Sequence, residues 1–301
     1  MIIKTLLFSV FLGLIILFYS CNNNTDEYND SDNDILLDSN DVNNDHQKKI
    51  KMIFYNIPSP LEMATILQET VGDYNPEVLN PHNIYSKYTT NKKIALNLGI
   101  YGADLSYTRM FDQIQASVNY LSSIKKLSDN LGIPQNEGSF TVNRIEENID
   151  NRDSILIIIS ETYAIADAYL KESGRGSTAA LIIIGGWIEA LYLATNMLKD
   201  NSDVNQEILN RIAEQKYSLE NLVELSKSYK NNDDINEFLP QLEELQESFD
   251  KIEITYTKGE VITDEINKIT TIKSKVNIDV SNETVIEIGI IVERIRSSIV
   301  E

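Results

Sequence analysis

The chain has 301 residues, of which 46 are Asp or Glu and 26 are Lys or Arg, so its formal net charge is −20 at pH 7. A surface with that charge repels nucleic acid and anionic lipid headgroups, so neither is an expected partner. Cys21 is the only cysteine, so no disulfide can form within the chain and packing must stabilise the fold.

Residues 1–20 have the layout of a secretory signal peptide. Lys4 precedes a run of 13 residues, Leu6 to Phe18, that is apolar except for Ser9, and Ser20 is a small residue immediately before Cys21. The run is too short to cross a bilayer, which requires roughly 20 apolar residues. A cleaved signal is therefore predicted in preference to a permanent transmembrane anchor.

Around Cys21 the sequence resembles bacterial lipoproteins that are processed by the lipoprotein signal peptidase. The resemblance implies that Cys21 becomes the first mature residue and carries fatty acyl chains such as palmitate, which attach the protein to the outer membrane. Ser20 fits the family's pattern, whereas Phe18 stands where the pattern prefers Leu and Tyr19 is bulkier than usual. The alternative is an ordinary signal peptide followed by an unrelated cysteine.

Residues 21–47 are predicted to form an acidic, solvated tether. The stretch from Asn22 to His46 contains eight acidic residues, eight asparagines and no Lys or Arg, so it cannot bury enough apolar surface to order itself. It resembles the export signals of some surface-displayed lipoproteins, which leaves the outer and periplasmic faces of the membrane both open. The competing interpretation is a calcium loop, but DSDNDILLDSND lacks the central Gly and closing Glu of an EF-hand.

Residues 48–301 are predicted to be one mainly α domain, a multi-helix bundle. Ser59 to Glu62 form a capping box that opens a helix to about Val71, and the pairs Asn75-Pro76 and Asn80-Pro81 start short turns. A long helix is predicted from Asn91 to about Leu131, with Gly132 at its C-terminal cap. Two glycines within it, Gly99 and Gly102, indicate either close helix packing or a break near Tyr101.

The core of the bundle is predicted to be an antiparallel helical hairpin over residues 154–198. Its second helix, TAALIIIGGWIEALYLATNML, is apolar on nearly every side, which is typical of a helix surrounded by other helices. Small residues line one side of each helix, and folding back about Gly174 is expected to bring Ala164 close to Gly185 and Gly186. The alternative is that the two glycines only kink their helix.

The remaining chain is predicted to be amphipathic helices and a small β-hairpin. Thr141 to Lys171 includes the first core segment, Asp203–Tyr229 and Asp234–Glu253 are further helices, and Ser281–Val300 is the last. Lys251–Thr257 and Ser274–Val280 alternate and contain β-branched residues, so they are predicted to pair. The intervening Thr263–Ile272 is left open between strand and helix.

The inventory of reactive residues favours a non-enzymatic protein. The two histidines are His46 in the tether and His82 in a loop, and no nucleophile–histidine arrangement, zinc motif, di-iron motif or phosphate loop is present. No cofactor or metal site is therefore predicted. What remains is a set of acidic and phenolic side chains in apolar helices, a candidate ligand site between helices formed by Tyr101, Asp104, Glu161 and Glu189.

A structural interpretation, in which these residues form hydrogen bonds within the core or point outward, is favoured over the ligand site. The mature domain also resembles uncharacterised helical lipoproteins, with the run YGADLSY at residues 101–107 as its most distinctive part, but this resemblance implies no activity. The expected function is a binding or envelope-interaction module held at the membrane through the lipid on Cys21, with an unknown protein or small-molecule partner. The alternative is a small-molecule or metal-binding protein, catalytic or not, that uses the carboxylates between its core helices.

Overall fold

A computed structural model describes residues 74–134, 144, 147–148, 151–199, 206–264 and 268–301. The predicted signal peptide, the tether of residues 21–47 with Cys21, and the helix that opens at Ser59 lie outside the described residues. Ser160 and Ala164 lie in a helix, but their side chains are also outside the description.

The mainly α fold class is confirmed, and a two-stranded antiparallel sheet lies near the C-terminus. Two short 3₁₀ helices, Pro76–Val78 and His82–Lys87, stand where the Asn-Pro pairs predict turns. The helices are α1 (Asn91–Met110), α2 (Ile114–Asn130), α3 (Arg152–Glu172), α4 (Gly176–Lys199), α5 (Gln206–Ser228), α6 (Asp233–Asn236), α7 (Leu239–Phe249) and α8 (Asn282–Val300), and the strands are β1 (Glu253–Asp264) and β2 (Ile269–Asp279).

The single long helix predicted from Asn91 to Leu131 is two helices. Asp112 has a φ of 54°, a left-handed conformation that ends α1, and the break lies there and not near Tyr101. The hydroxyl groups of Thr108 and Ser117 are 2.9 Å apart across the break, which ties the two helices together. Gly132, with a φ of 65°, follows the end of α2 as the sequence predicts.

Helix α4 is the centre of the bundle, and its closest neighbour is α1. A Cβ atom added to Gly185 would overlap the backbone carbonyl of Leu96, and one added to Gly99 would overlap the carbonyl of Ile182. The two helices therefore cross backbone to backbone, which only glycine permits at these positions. Close packing explains the glycines at 99 and 185.

The prediction that Ala164 of α3 lies close to Gly185 and Gly186 stays a prediction, because the side chain of Ala164 is outside the description; the nearest atoms to a Cβ on Gly185 belong to Leu96. Helix α3 does precede α4 as a hairpin through the turn at Gly174, whose φ is 74°. It begins at Arg152, where the Asn151 side chain accepts a hydrogen bond from the Ser154 N–H, and not near Thr141. Among its described side chains, Ile155 and Leu170 are buried and Ile157 is exposed.

Helix α4 is long and apolar enough to cross a membrane by length and composition, and it is the single such helix in the described part of the chain. However, 83% of its most apolar window is buried inside the protein. Its neighbours cover it as they would cover a core helix, and Glu189 within it is paired with an arginine of α8.

The C-terminal helices bury the stripes that the sequence predicts, although the helix predicted over Asp234–Glu253 is divided into α6 and α7. The strands are longer than predicted and include most of Thr263–Ile272, so a helix there is wrong. The buried stripe residues are Leu209, Ile212, Leu219, Leu222 and Leu225 of α5, Phe238, Leu242, Leu245 and Phe249 in and before α7, and Val285, Ile288, Val292, Ile295 and Ile299 of α8.

The crossing of α1 and α4 can be tested with alanine. We expect Gly185→Ala and Gly99→Ala each to lower the free energy of unfolding by about 3 kcal/mol or more, because the added methyl group meets backbone that cannot move aside. Gly289→Ala in α8 is the control, since its Cβ would lie 3.5 Å from the Cβ of Thr195, an ordinary contact. That variant should be unchanged or gain up to about 1 kcal/mol of helix propensity.

Urea denaturation of the three variants measures these differences. Equal stability of Gly185→Ala and Gly289→Ala would contradict the close crossing.

Candidate functional site: a buried carboxyl pair and its arginine

Two acidic side chains meet inside the bundle because of the α1–α4 crossing. Asp104 lies little more than one helical turn beyond Gly99 on α1, and Glu189 lies one turn beyond Gly185 on α4. Both side chains are fully buried. Burying an unpaired carboxylate costs several kcal/mol, so each group requires a partner or a proton.

Arg296 of α8 is the partner of Glu189. Its Nε donates to Oε2 of Glu189 at 2.7 Å, and its Nη2 donates to Oε1 at 3.0 Å, which is a bidentate ion pair. Nη2 also donates to the backbone carbonyl of Val78 at 3.3 Å, and the guanidinium plane lies 4.3 Å from the ring centroid of Tyr192. Arg296 thus neutralises the charge of Glu189, and the two parallel hydrogen bonds are the geometry expected of a buried ion pair.

Asp104 has no comparable partner. No N–H or O–H of the described residues reaches hydrogen-bonding geometry with either of its carboxyl oxygens. Burial raises the pKa of Asp104 well above its usual range, the negative charge of Glu189 raises it further, and Arg296 and the backbone of Asn80 oppose the rise. Burial thus favours the neutral form of the Asp104 carboxyl group over its charged form.

Asp104 and Glu189 differ in how their buried charge is compensated. Burial also raises the pKa of Glu189, but the charge and hydrogen bonds of Arg296 act against this. Because Glu189 accepts two hydrogen bonds from a cation, its surroundings favour its ionised form more than those of Asp104 do.

A group of polar side chains surrounds this centre and holds the backbone of residues 78–82. Tyr101 donates to the carbonyl of Pro81 at 2.9 Å, and Tyr120 donates to the carbonyl of Asn80 at 2.8 Å. Burial raises the pKa of both phenols, and the charge of Asp104 would raise each further, so they stay protonated and remain donors. The Asn80 side chain donates to Tyr88 at 3.1 Å.

The structure brings together three of the four residues that the sequence singles out. Tyr101, Asp104 and Glu189 meet in the centre, but Glu161 does not: its side chain is 49% exposed and pairs with Arg144 at 2.9 Å. Glu161 thus points outward, which is one form of the favoured structural interpretation, and it does not join the other three residues.

Arg296 is the principal residue that sequence reasoning missed. It follows Val292 by four residues and precedes Ile299 by three, so it stands on the apolar stripe of α8. A cation within an apolar stripe predicts that its charge is buried and paired with a buried anion. Tyr120 and Asn80 carried no such signal, because tyrosine at a helix rim and asparagine before proline are common for other reasons.

The centre does not have the composition of a metal site. Within the described ranges no group of three or more His, Cys, Asp or Glu side chains could hold a metal ion. The guanidinium of Arg296 takes the place at Glu189 that a cation would take.

No protein-family model matches this chain, and no curated protein or solved structure matches it. The geometry of the buried centre and the character of the exposed surface are therefore the basis for a functional interpretation.

The ion pair can be tested with two arginines of the same helix. Arg296→Met keeps much of the apolar stem but leaves Glu189 buried without its cation, so we expect a loss of about 3–5 kcal/mol in the free energy of unfolding. Arg294→Met is the control, because Arg294 pairs with Glu244 at 2.6 Å with both side chains about half exposed. An exposed pair contributes at most about 1 kcal/mol.

Chemical denaturation of both variants distinguishes the two cases. If Arg296→Met costs no more than Arg294→Met, Glu189 and Arg296 do not form the buried pair described above.

Proposed function

We propose that the protein is a lipid-anchored extracytoplasmic protein whose helical domain is a binding module and not an enzyme. The proposal combines the lipoprotein-like sequence around Cys21 and its acidic tether with the surface of the C-terminal sheet. The apolar face of the sheet, which the bundle leaves uncovered, is the observation that carries the binding role.

The sheet is a ribbon of two strands, β1 and β2, each about 40 Å long at roughly 3.4 Å per residue. Ile254 pairs with Ile278 at its base, and both pack against the core. Between these two residues the described side chains are exposed at Thr255 to Thr257, Thr263, Lys268 to Thr270, Val276 and Asn277, and Gly259 is half-buried. A two-stranded ribbon is only marginally stable by itself, so a long exposed one is well suited to contact a partner.

One face of the ribbon continues the apolar core outward. Tyr256 and Val276 form the cross-strand pair two residues beyond Ile254 and Ile278, so they project from the same face. Tyr256 is 61% exposed and Val276 is 40% exposed. The hydroxyl groups of Tyr256 and Tyr217 of α5 are 3.4 Å apart, so an aromatic pair lies beside the exposed valine. Aromatic residues are enriched at the centres of protein interfaces.

The buried centre supports a structural role for the acidic residues, since Glu189 is occupied by Arg296 and the surrounding phenols donate to backbone carbonyls. A small-molecule or metal site built from the carboxylates is the alternative function. That site would lack Glu161 as a ligand, because the Glu161 side chain lies at the surface. A stoichiometric metal in elemental analysis of the purified chain would favour the alternative function.

The anchor is tested by feeding cells a labelled fatty acid. We expect label on the native chain and none on Cys21→Ser, because the serine hydroxyl cannot replace the thiol as the acylated group. Ser20→Ala is the control, since it keeps a small residue before Cys21 and should retain the label. Equal label on the native and Cys21→Ser chains would contradict the anchor.

The binding face is tested by photo-cross-linking in intact cell envelopes. A photoreactive residue at position 276 lies on the apolar face, whereas the same residue at position 277 points to the opposite face and is the matched control. We expect a discrete cross-linked species at 276 that is absent at 277 and is lost in Tyr256→Ser. This substitution should change the free energy of unfolding by less than about 1 kcal/mol, because the side chain is exposed.

Equal cross-linking at 276 and 277, or none at either, would contradict a binding role for this face.

A further inference from the structure

We propose that the outer edge of β2 takes up an extended, acidic segment of a partner protein as a third strand of the ribbon. This inference rests on the binding role proposed above for the ribbon, and it names the chemistry of the partner. It is based on the open edge of β2, on the irregularity of β1 and on the charges of the two strands.

The outer edge of β2 is open in the described part of the chain. The sheet there has two strands, so the backbone N–H and C=O groups on the far side of β2 have no strand beside them. Ile269 at the start of β2 and Val276 near its end are apolar and exposed. A ribbon of two strands is only marginally stable, and a third strand that extends its apolar face would stabilise it.

The outer edge of β1 is a poorer place for an added strand. Thr257 pairs with Lys275 and Glu260 pairs with Lys273, so two residues of β1 stand opposite one residue of β2. This is the arrangement of a β-bulge, which bends its strand and is a common means of blocking a sheet edge. The extra residue lies in β1, so β2 is the more regular edge of the two.

The charges of the strands favour an acidic partner. β2 contains Lys273 and Lys275 against one acidic residue, Asp279, whereas β1 contains three acidic residues against one lysine. β2 is thus a positively charged strand in a chain whose net charge is −20. Opposite charges that face each other on adjacent strands attract, and like charges repel. An acidic strand therefore complements the edge of β2.

The spacing of the two lysines indicates how the acidic residues of the partner are arranged. Lys273 and Lys275 are two residues apart, and positions two apart in a strand belong to the same face of the sheet. Val276 belongs to the other face, where it pairs with Tyr256. A strand with acidic residues at alternate positions and apolar residues between them would match both faces of β2.

A second copy of the chain fits this edge less well. Two β2 strands side by side would bring two positively charged strands together, which is unfavourable. A β1 strand from another copy has the complementary charge, but the bulge interrupts the edge that it would offer. Addition of β1 to β2 would also repeat without closing and give an open-ended assembly. The occupant is therefore a separate acidic polypeptide.

The test is the binding of a fluorescent peptide of alternating glutamate and valine to the full chain, measured by fluorescence anisotropy. We expect saturable binding of this peptide and none of a peptide of alternating lysine and valine. N-methylation at alternate residues removes the N–H groups from one edge of the peptide. Methylation of one alternate set should abolish binding and methylation of the other should be tolerated, because an added strand bonds its neighbour through one edge.

Two variants of matched charge distinguish β2 from β1. Lys275→Glu and Lys258→Glu change the net charge equally and lie at neighbouring heights of the ribbon, because Lys258 follows the register partner of Lys275. Lys275→Glu should weaken binding of the glutamate–valine peptide about tenfold, whereas Lys258→Glu, on the other strand, should weaken it less than about threefold. Circular dichroism of both variants checks that they are folded.

Absence of saturable binding, an equal loss in the two variants, or equal binding of the two methylated peptides would overturn strand addition. The methylated peptides test the native chain alone, in case a variant does not fold. The cross-link at position 276 separates these outcomes from a failure of the proposed function. If it forms while the glutamate–valine peptide does not bind, the ribbon has a partner of different chemistry, and strand addition is wrong although the binding role stands.

Discussion

The architecture depends on one constraint, the backbone contact between α1 and α4 at Gly99 and Gly185. Because neither residue has a side chain, the helices approach until the carbonyls of Leu96 and Ile182 occupy the space where Cβ atoms would stand. That approach brings Asp104 and Glu189 into the same buried region one turn farther along. The polar centre is therefore a consequence of the crossing, and α8 completes it by supplying Arg296.

The centre combines three devices that each lower the cost of burying polar groups. A bidentate ion pair neutralises Glu189, burial favours the neutral form of Asp104, and phenolic donors satisfy the carbonyls of a segment that has little regular structure. Buried polar networks often add little net stability, yet they specify one arrangement, since any misplaced member leaves an unpaired charge. Here the arrangement they specify is the position of residues 74–88 on the bundle.

The parts of the fold that could be predicted from the sequence are those set by the local spacing of apolar residues along each helix. The stripe of Val285, Ile288, Val292, Ile295 and Ile299 on α8 and the all-round apolar character of α4 lead directly to the observed burial. The partner of Gly185 could not be predicted, because a small residue indicates that something approaches closely and not which helix does so. Helices α1 and α3 both carry small residues, and only the three-dimensional packing selects α1.

The same limit applies to the candidate site. Glu161 and Glu189 both have apolar neighbours three and four residues away, so local periodicity treats them alike. They differ because α3 is covered on one face and α4 on all faces, which is a property of the assembled bundle. Asp104 and Tyr101 can be predicted as candidates because they stand among apolar residues of a helical pattern, and Arg296 carries a comparable signal in its place on the apolar stripe of α8.

The crossing is tested most directly by the nuclear Overhauser contacts of the Gly185 α-protons. These α-protons should give strong cross-peaks to protons of Leu96 on α1, because the backbones touch there. Cross-peaks from Gly185 to Ala164 on α3, with none to Leu96, would contradict the crossing and remove the basis for the buried carboxyl pair.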